Sequence, residues 1–138
     1  MKGEIAGMDL VYSSRGSDPD SDDVVYDLYS RGIGLLREGH AHQAITVLSR
    51  AKTLEPETAS IREALGRAFF MTGQPRRARW EFAKVVSLHP TDDYAHFALG
   101  LACERTGQRT RALGHVRMAD AMHPGVPHYE RALRRLVG

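Results

Sequence analysis

One cysteine, Cys103, is all that these 138 residues contain. That excludes an internal disulfide and points to a reducing compartment. Long apolar runs are also missing. None approaches the ~20 residues that span a bilayer, and Met1 to Leu10 has no apolar stretch like a secretory signal. A cytoplasmic location is expected, with no membrane role. Alternation of apolar and polar residues never persists over a useful length, which argues against a sheet. Chemical motifs are equally scarce. There is no Gly-rich phosphate loop, no nucleophile elbow and no metalloprotease pattern. The seven histidines include no pair at helical i, i+4 spacing; His40-x-His42 falls at a turn, and His123 and His128 flank a Pro-Gly turn. They read as surface histidines, and Cys103 as a small buried apolar residue. No catalytic residue, cofactor or metal is expected.

What the chain does have is charge, unevenly placed. Its formal net charge is +2. Residues 1–27 carry −5 and the remainder +7, and 16 of the 19 basic residues are arginine. Ser13 to Asp23 is polar and rich in turn formers and acids. It has too little apolar surface to offset the entropy of ordering. Residues 1–22 are therefore expected to be an acidic tail, with Asp22 or Asp23 capping a first helix. Charge alone raises the idea that this tail covers a basic surface elsewhere in the chain. Arg76-Arg77-x-Arg79 and Arg134-Arg135 are short basic runs. They read as solvated helix faces, and no nucleic-acid partner is expected.

The strongest signal is periodic. Gly32, Gly66 and Gly100 lie 34 residues apart, and so do Gly39, Gly73 and Gly107. Ala44, Ala78 and Ala112 keep the same step, as do Pro56, Pro90 and Pro124. A fixed period of this length means stacked copies of one supersecondary unit. Helical spacing of apolar residues predicts two helices per unit, parted by a Gly turn and closed by a Pro turn. Gly32, Gly66 and Gly100 fall inside helices, where glycine costs roughly 1 kcal/mol against alanine. Three such costs in register imply helices that cross closely there. Gly39, Gly73 and Gly107 suit the left-handed residue that closes a helix. The expected helices include about Pro75 to Leu88, Arg109 to Met122 and Pro127 to Val137, the last without a partner after it.

These residues resemble the tetratricopeptide repeat. Its pattern can be followed as Leu65-Gly66, Phe69, Gly73, Ala78, Phe82 and Pro90 in the second unit, and as Leu99-Gly100, Gly107, Ala112, Ala119 and Pro124 in the third. The first unit shows Gly32, Leu35, Gly39, Ala44, Leu48, Ala51 and Pro56. The resemblance implies an all-α fold of seven helices, a right-handed superhelix of helix pairs. Repeats fall at about 25–58, 59–92 and 93–126, followed by a capping helix at about 127–137, within a domain of residues 23–138. Departures from the pattern are Arg31 for leucine, Cys103 for an aromatic, Val85 for a small residue, and Arg62 and His96 for a large apolar residue. Looser local packing is expected at each.

The resemblance further implies a non-catalytic interaction module of adaptor, scaffold or co-chaperone type. First helices of such repeats line a concave groove that holds a peptide or helix of a partner. In register, this groove is lined by Tyr26, Tyr29, Ile33 and Arg37 of the first unit and by Glu63, Arg67 and Phe70 of the second. Tyr94, Phe97, Leu101 and Arg105 follow from the third, and Arg131 from the last helix. An aromatic and aliphatic floor with an arginine rim suits an acidic-apolar protein segment. Roughly half of its apolar residues are expected to be core, since stacked repeats bury a continuous interior. A chaperone-type carboxylate clamp, built from Lys and Asn in related proteins, is not expected. Tyr29, Ile33 and Arg67 stand at comparable places, and the chain has no asparagine. The alternative is a self-associating assembly subunit, dimerising through an unsealed end of the stack.

Overall fold

A computed structural model of the chain describes residues 19–138. Seven α-helices follow one another: α1 Pro19–Arg37, α2 Ala41–Leu54, α3 Ala59–Met71, α4 Pro75–Leu88, α5 Asp93–Arg105, α6 Arg109–Met122 and α7 Pro127–Val137. No strand occurs among the described residues. The helices pack as α1–α2, α3–α4 and α5–α6 pairs. Each second helix also contacts the next first helix, and α7 closes the series on α6. This is the expected all-α stack of helix pairs.

The first helix begins at Pro19, ahead of the start near Asp23 that composition suggests. Proline's fixed φ suits the first helical position. Asp22 and Asp23 then lie within the opening turns, near the positive end of the helix dipole. Asp22 and Asp23 are thus inside the helix and do not cap it. The remaining expectations for the acidic segment concern residues 1–18, outside the described residues.

Turn chemistry repeats with the period. Gly39, Gly73 and Gly107 have φ of 83°, 73° and 81°. At the first, His40 N–H reaches the Leu35 carbonyl at 2.8 Å and Gly39 N–H the Leu36 carbonyl at 3.1 Å. These bonds satisfy carbonyls left free at the end of α1, as a left-handed closing residue allows. The α5 start is capped by Asp92, whose Oδ1 accepts the Ala95 N–H at 3.0 Å.

The core is a ladder of close crossings. A Cβ placed on Gly66 stands 2.7 Å from the Phe82 ring, one on Gly100 stands 2.7 Å from Val116 Cγ2, and one on Gly32 collides with the Leu48 side chain. Leu48, Phe82 and Val116 are fully buried, as are Ala44, Ala78 and Ala112. Gly32, Gly66 and Gly100 therefore each make room for one large residue of the paired helix.

Two departures from the repeat pattern turn out to be partnered. Leu28 and Val47, Arg62 and Glu81, and His96 and His115 occupy the same two positions in successive units. The first pair is buried and apolar. In the second, Arg62 Nη1 donates to Glu81 Oε1 at 3.0 Å and Lys52 Nζ to Oε2 at 2.8 Å, with Glu81 only 2 % exposed. In the third, His96 Nδ1 and His115 Nδ1 are 3.1 Å apart, with the rings stacked. Arg62 Nε and His96 Nε2 also reach equivalent carbonyls, Pro56 O at 3.0 Å and Pro90 O at 2.8 Å. A carbonyl only accepts, so His96 carries its proton on Nε2 when neutral, and His115 Nδ1–H donates to His96 Nδ1. The packing expected to loosen at Arg62 and His96 is instead held by directed polar bonds. Cys103 and Val85 are both buried, at 2 % and 1 % exposure. Arg31 is exposed.

Candidate interaction groove

First helices α1, α3, α5 and α7 present their side chains to one face of the stack. Each contributes at positions that recur every 34 residues, so the groove is a row of equivalent clefts between successive first helices. Of the residues read from the sequence, Arg67, Phe70, Tyr94, Phe97, Leu101, Arg105 and Arg131 line two of these clefts. Among the apolar side chains of these helices, Leu36 is core, while Tyr29, Ile33, Phe70 and Phe97 are half-buried and packed against the core. Tyr26 and Leu101 are half-buried as well. Met71 is 53 % exposed and Tyr94 40 % exposed, a large apolar area left open to solvent. Fewer of these side chains are core than expected, because α1, α3, α5 and α7 meet one another only along narrow edges while the second helices fill the interior.

The cleft between α1 and α3 is polar. Burial raises the Tyr29 phenol above its usual range, with the Glu63 carboxylate adding to the effect and Arg67 and Arg37 opposing it. The Glu63 carboxyl is itself raised, first by burial and then by Asp92, against the pull of Arg67. Glu63 and Arg67 therefore act on the same neighbours across α1, α3 and α5.

The next cleft, between α3 and α5, is apolar. Arg67, Phe70, Met71, Tyr94, Phe97 and Leu101 surround a depression of about 260 Å³, with Phe82 and Ala98 beneath. Phe70 packs on Phe82 with centroids 6.0 Å apart, so the pocket floor is continuous with the core. Arg105 lies over the Phe70 ring at 5.5 Å and forms a cationic rim. Phe82, read from the sequence only as a repeat-pattern residue, and Ala98 were not among the expected groove positions. Ala98 could have been found from its spacing, four residues after Tyr94 and three before Leu101 on one helix face.

The last cleft, between α5 and α7, is basic. Arg105, His128, Arg131 and Arg135 surround about 550 Å³ beside Phe97 and Leu101. Arg135 is committed to Glu104 by bonds of 2.9 and 2.7 Å, which hold that carboxyl below its usual range. Arg131 Nη2 lies 2.7 Å from His128 Nδ1. Neither Arg105 nor Arg131 pairs with a carboxylate among the described residues. The α7 helix is seated on α5 by Phe97 against Tyr129, centroids 4.8 Å apart, and by Tyr129 Oη donating to Asp93 Oδ2 at 2.6 Å.

The opposite face carries a depression the sequence reading missed, of about 390 Å³, around Phe69, Arg76, Arg77 and Trp80. Arg77 lies over Phe69 at 5.7 Å, and Trp80, the sole tryptophan, is 73 % exposed. Among the described residues no three His, Cys, Asp or Glu side chains gather as a metal site would require. No described helix is long and apolar enough to cross a membrane.

A family model described as tetratricopeptide repeat matches residues 29–93 and 72–127. No curated protein matches in sequence. Among solved structures, the chain is similar to the second such domain of human RPAP3, in complex with the HSP70 peptide SGPTIEEVD. That likeness has a TM-score of 0.80 at 17 % identity, covering 86 % of this chain and 98 % of that one. It is also similar to MamA of Desulfovibrio magneticus, with a TM-score of 0.79 at 25 % identity over 81 % of this chain and 63 % of that one. A third is the Yersinia enterocolitica secretion chaperone SycD in complex with a peptide of the translocator YopD. There the TM-score is 0.73 at 17 % identity, covering 87 % and 92 %.

Proposed function

The chain belongs to the tetratricopeptide repeat family, and on that premise we propose that it is a non-catalytic binding module whose concave face captures a protein segment carrying apolar and acidic side chains. The observation that carries this reading is the open apolar cleft between α3 and α5. Its aromatic floor is continuous with the core and therefore rigid, while Met71 and Tyr94 remain exposed at its mouth. Rigid aromatic anchors in a preformed pocket supply affinity at low entropic cost. Arg67 and Arg105 at the rim add directed donors for carboxylates. RPAP3 and SycD, which share the fold, are each seen with a peptide, and this supports a peptide as the occupant here. An adaptor or co-chaperone role in the cytoplasm follows from that reading.

Affinity capture from the native host, with wild type and Arg67→Glu compared by mass spectrometry, tests it. A partner held by wild type and lost by the variant is expected, with unchanged helical circular dichroism in the variant. A partner retained equally by Arg67→Glu, Phe70→Ala and wild type overturns the groove assignment.

A further inference from the structure

The 34-residue step aligns the apolar and basic clefts residue by residue. Tyr94, Phe97 and Leu101 of the first become His128, Arg131 and Arg135 of the second, and Met71 becomes Arg105. Ala98 and Ala132 hold the same floor position in both. The two clefts are thus one subsite built twice, once with apolar walls and once with guanidinium groups, on either side of α5. We infer that they act together as a bipartite reader, which selects an extended segment bearing a large apolar side chain and an anionic side chain three residues apart.

The spacing follows from geometry. Successive first helices touch through side chains, Phe70 with Arg105 and Phe97 with Tyr129, so equivalent subsites lie one helix spacing, about 8–10 Å, apart. A polyproline II chain has three residues per turn and a rise of about 3.1 Å, so residues i and i+3 point to one side about 9 Å apart. A β-strand cannot match this. Its same-side neighbours at i+2 are about 6.6 Å apart and those at i+4 about 13 Å. The occupant of each cleft follows from its chemistry. The depression of about 260 Å³ is smaller than a drug-sized pocket and suits one bulky side chain. In the basic cleft three guanidinium groups face one carboxylate, Glu104, which Arg135 already holds. Arg105 and Arg131 remain for an incoming carboxylate or phosphate, both of which match a guanidinium fork.

This inference rests on the concave face being the peptide site, and the test separates the two. Synthetic peptides with blocked ends and a Pro/Ser background carry one leucine and one glutamate, at spacings of two, three and four and in both orders. A parallel set carries phosphoserine in place of glutamate. Each is titrated into the full-length ¹⁵N-labelled protein and followed by amide shifts. The spacing-three peptide of one order is expected to bind about fivefold tighter than the others, the scale of one exposed charge pair. It should move amides near Tyr94 and Phe97 and also near Arg105 and Arg131. Arg131→Glu is expected to erase the spacing preference but leave the leucine-dependent shifts; Arg131 is exposed, so the fold survives. Tighter binding of the phosphoserine form identifies a doubly charged ligand, and equal binding a carboxylate. Equal affinity at all three spacings, or a preference that survives both Arg131→Glu and Arg105→Glu, overturns the bipartite reader and leaves the peptide groove standing. Peptides that move no amide on α3, α5 or α7 remove the groove reading itself.

Discussion

Transplanting the apolar pair of the first repeat into the second tests how the stack is fastened. Arg62 and Glu81 stand where Leu28 and Val47 stand one period earlier. The Glu81 side chain is 3 % exposed and that of Arg62 12 %. Glu81→Val alone strands the Arg62 guanidinium with only the Pro56 carbonyl as acceptor, while Lys52, at 30 %, turns to water. Removing one partner of a buried pair typically costs about 3–5 kcal/mol. The partial access of Arg62 places this case near the lower end, at about 3 kcal/mol. Arg62→Leu alone leaves Glu81 Oε1 unbonded beside a single remaining ion pair, for about 2–3 kcal/mol. The double variant removes both charges and restores an apolar contact, so it should lie within about 1 kcal/mol of wild type. The coupling between the sites is then about 4 kcal/mol or more. Urea unfolding followed by far-ultraviolet circular dichroism measures all four proteins. With an m-value of about 1–3 kcal/mol/M, the loss in Glu81→Val displaces the midpoint by about 1 M or more. A Glu81→Val protein less than about 1 kcal/mol below wild type, or a double variant as unstable as the two singles combined, would refute the reasoning.

Glycines on the same helices should differ in sign. Gly66→Ala drives a methyl to 2.7 Å from the Phe82 ring and is expected to cost about 1–3 kcal/mol, whereas Gly34→Ala meets nothing within 4 Å and should gain about 0.5–1 kcal/mol; paired thermal melts decide. Burial, then the His96 and Arg111 charges, hold His115 below its usual value. The unfolded chain therefore binds more protons below about pH 6.5, so stability is full above that pH and falls on acidification. Unfolding midpoints at pH 7.5 and 5.5 should show this fall, and His115→Gln should flatten it; an unflattened fall rejects the assignment. Cys103 is buried and its thiol is raised, chiefly by burial. It should react with a thiol reagent only after denaturation, and rapid labelling of the native protein would contradict its place in the core.

The architecture was legible because its causes are local and repeated. Pro75, Pro127, Asp92 and the turn glycines fix helix ends by backbone geometry, and the 34-residue step multiplies each signal by three. The start of α1 was not legible, because Pro19 sits in a segment whose polarity outweighs one favourable residue. Groove positions could be named from register, but not their degree of burial, which depends on how closely first helices approach. The pairing of Arg62 with Glu81 and His96 with His115 was present in the sequence, nineteen residues apart in both cases, as are Leu28 and Val47. Each residue looks like a defect when compared with the family pattern alone. Only contact between the two helices of a unit shows that a second substitution answers the first.

Those three fastenings give the protein an uneven response to its solvent. Repeat stacks share stability only between neighbours. The ion pairs around buried Glu81 are screened only weakly, so salt loosens the middle of the array little. Mild acid charges His115, held below its usual value by burial, and weakens the distal end. Leu28 and Val47 are buried and uncharged and so indifferent to both, which leaves acid as the solvent change that moves the start of unravelling to the distal repeat.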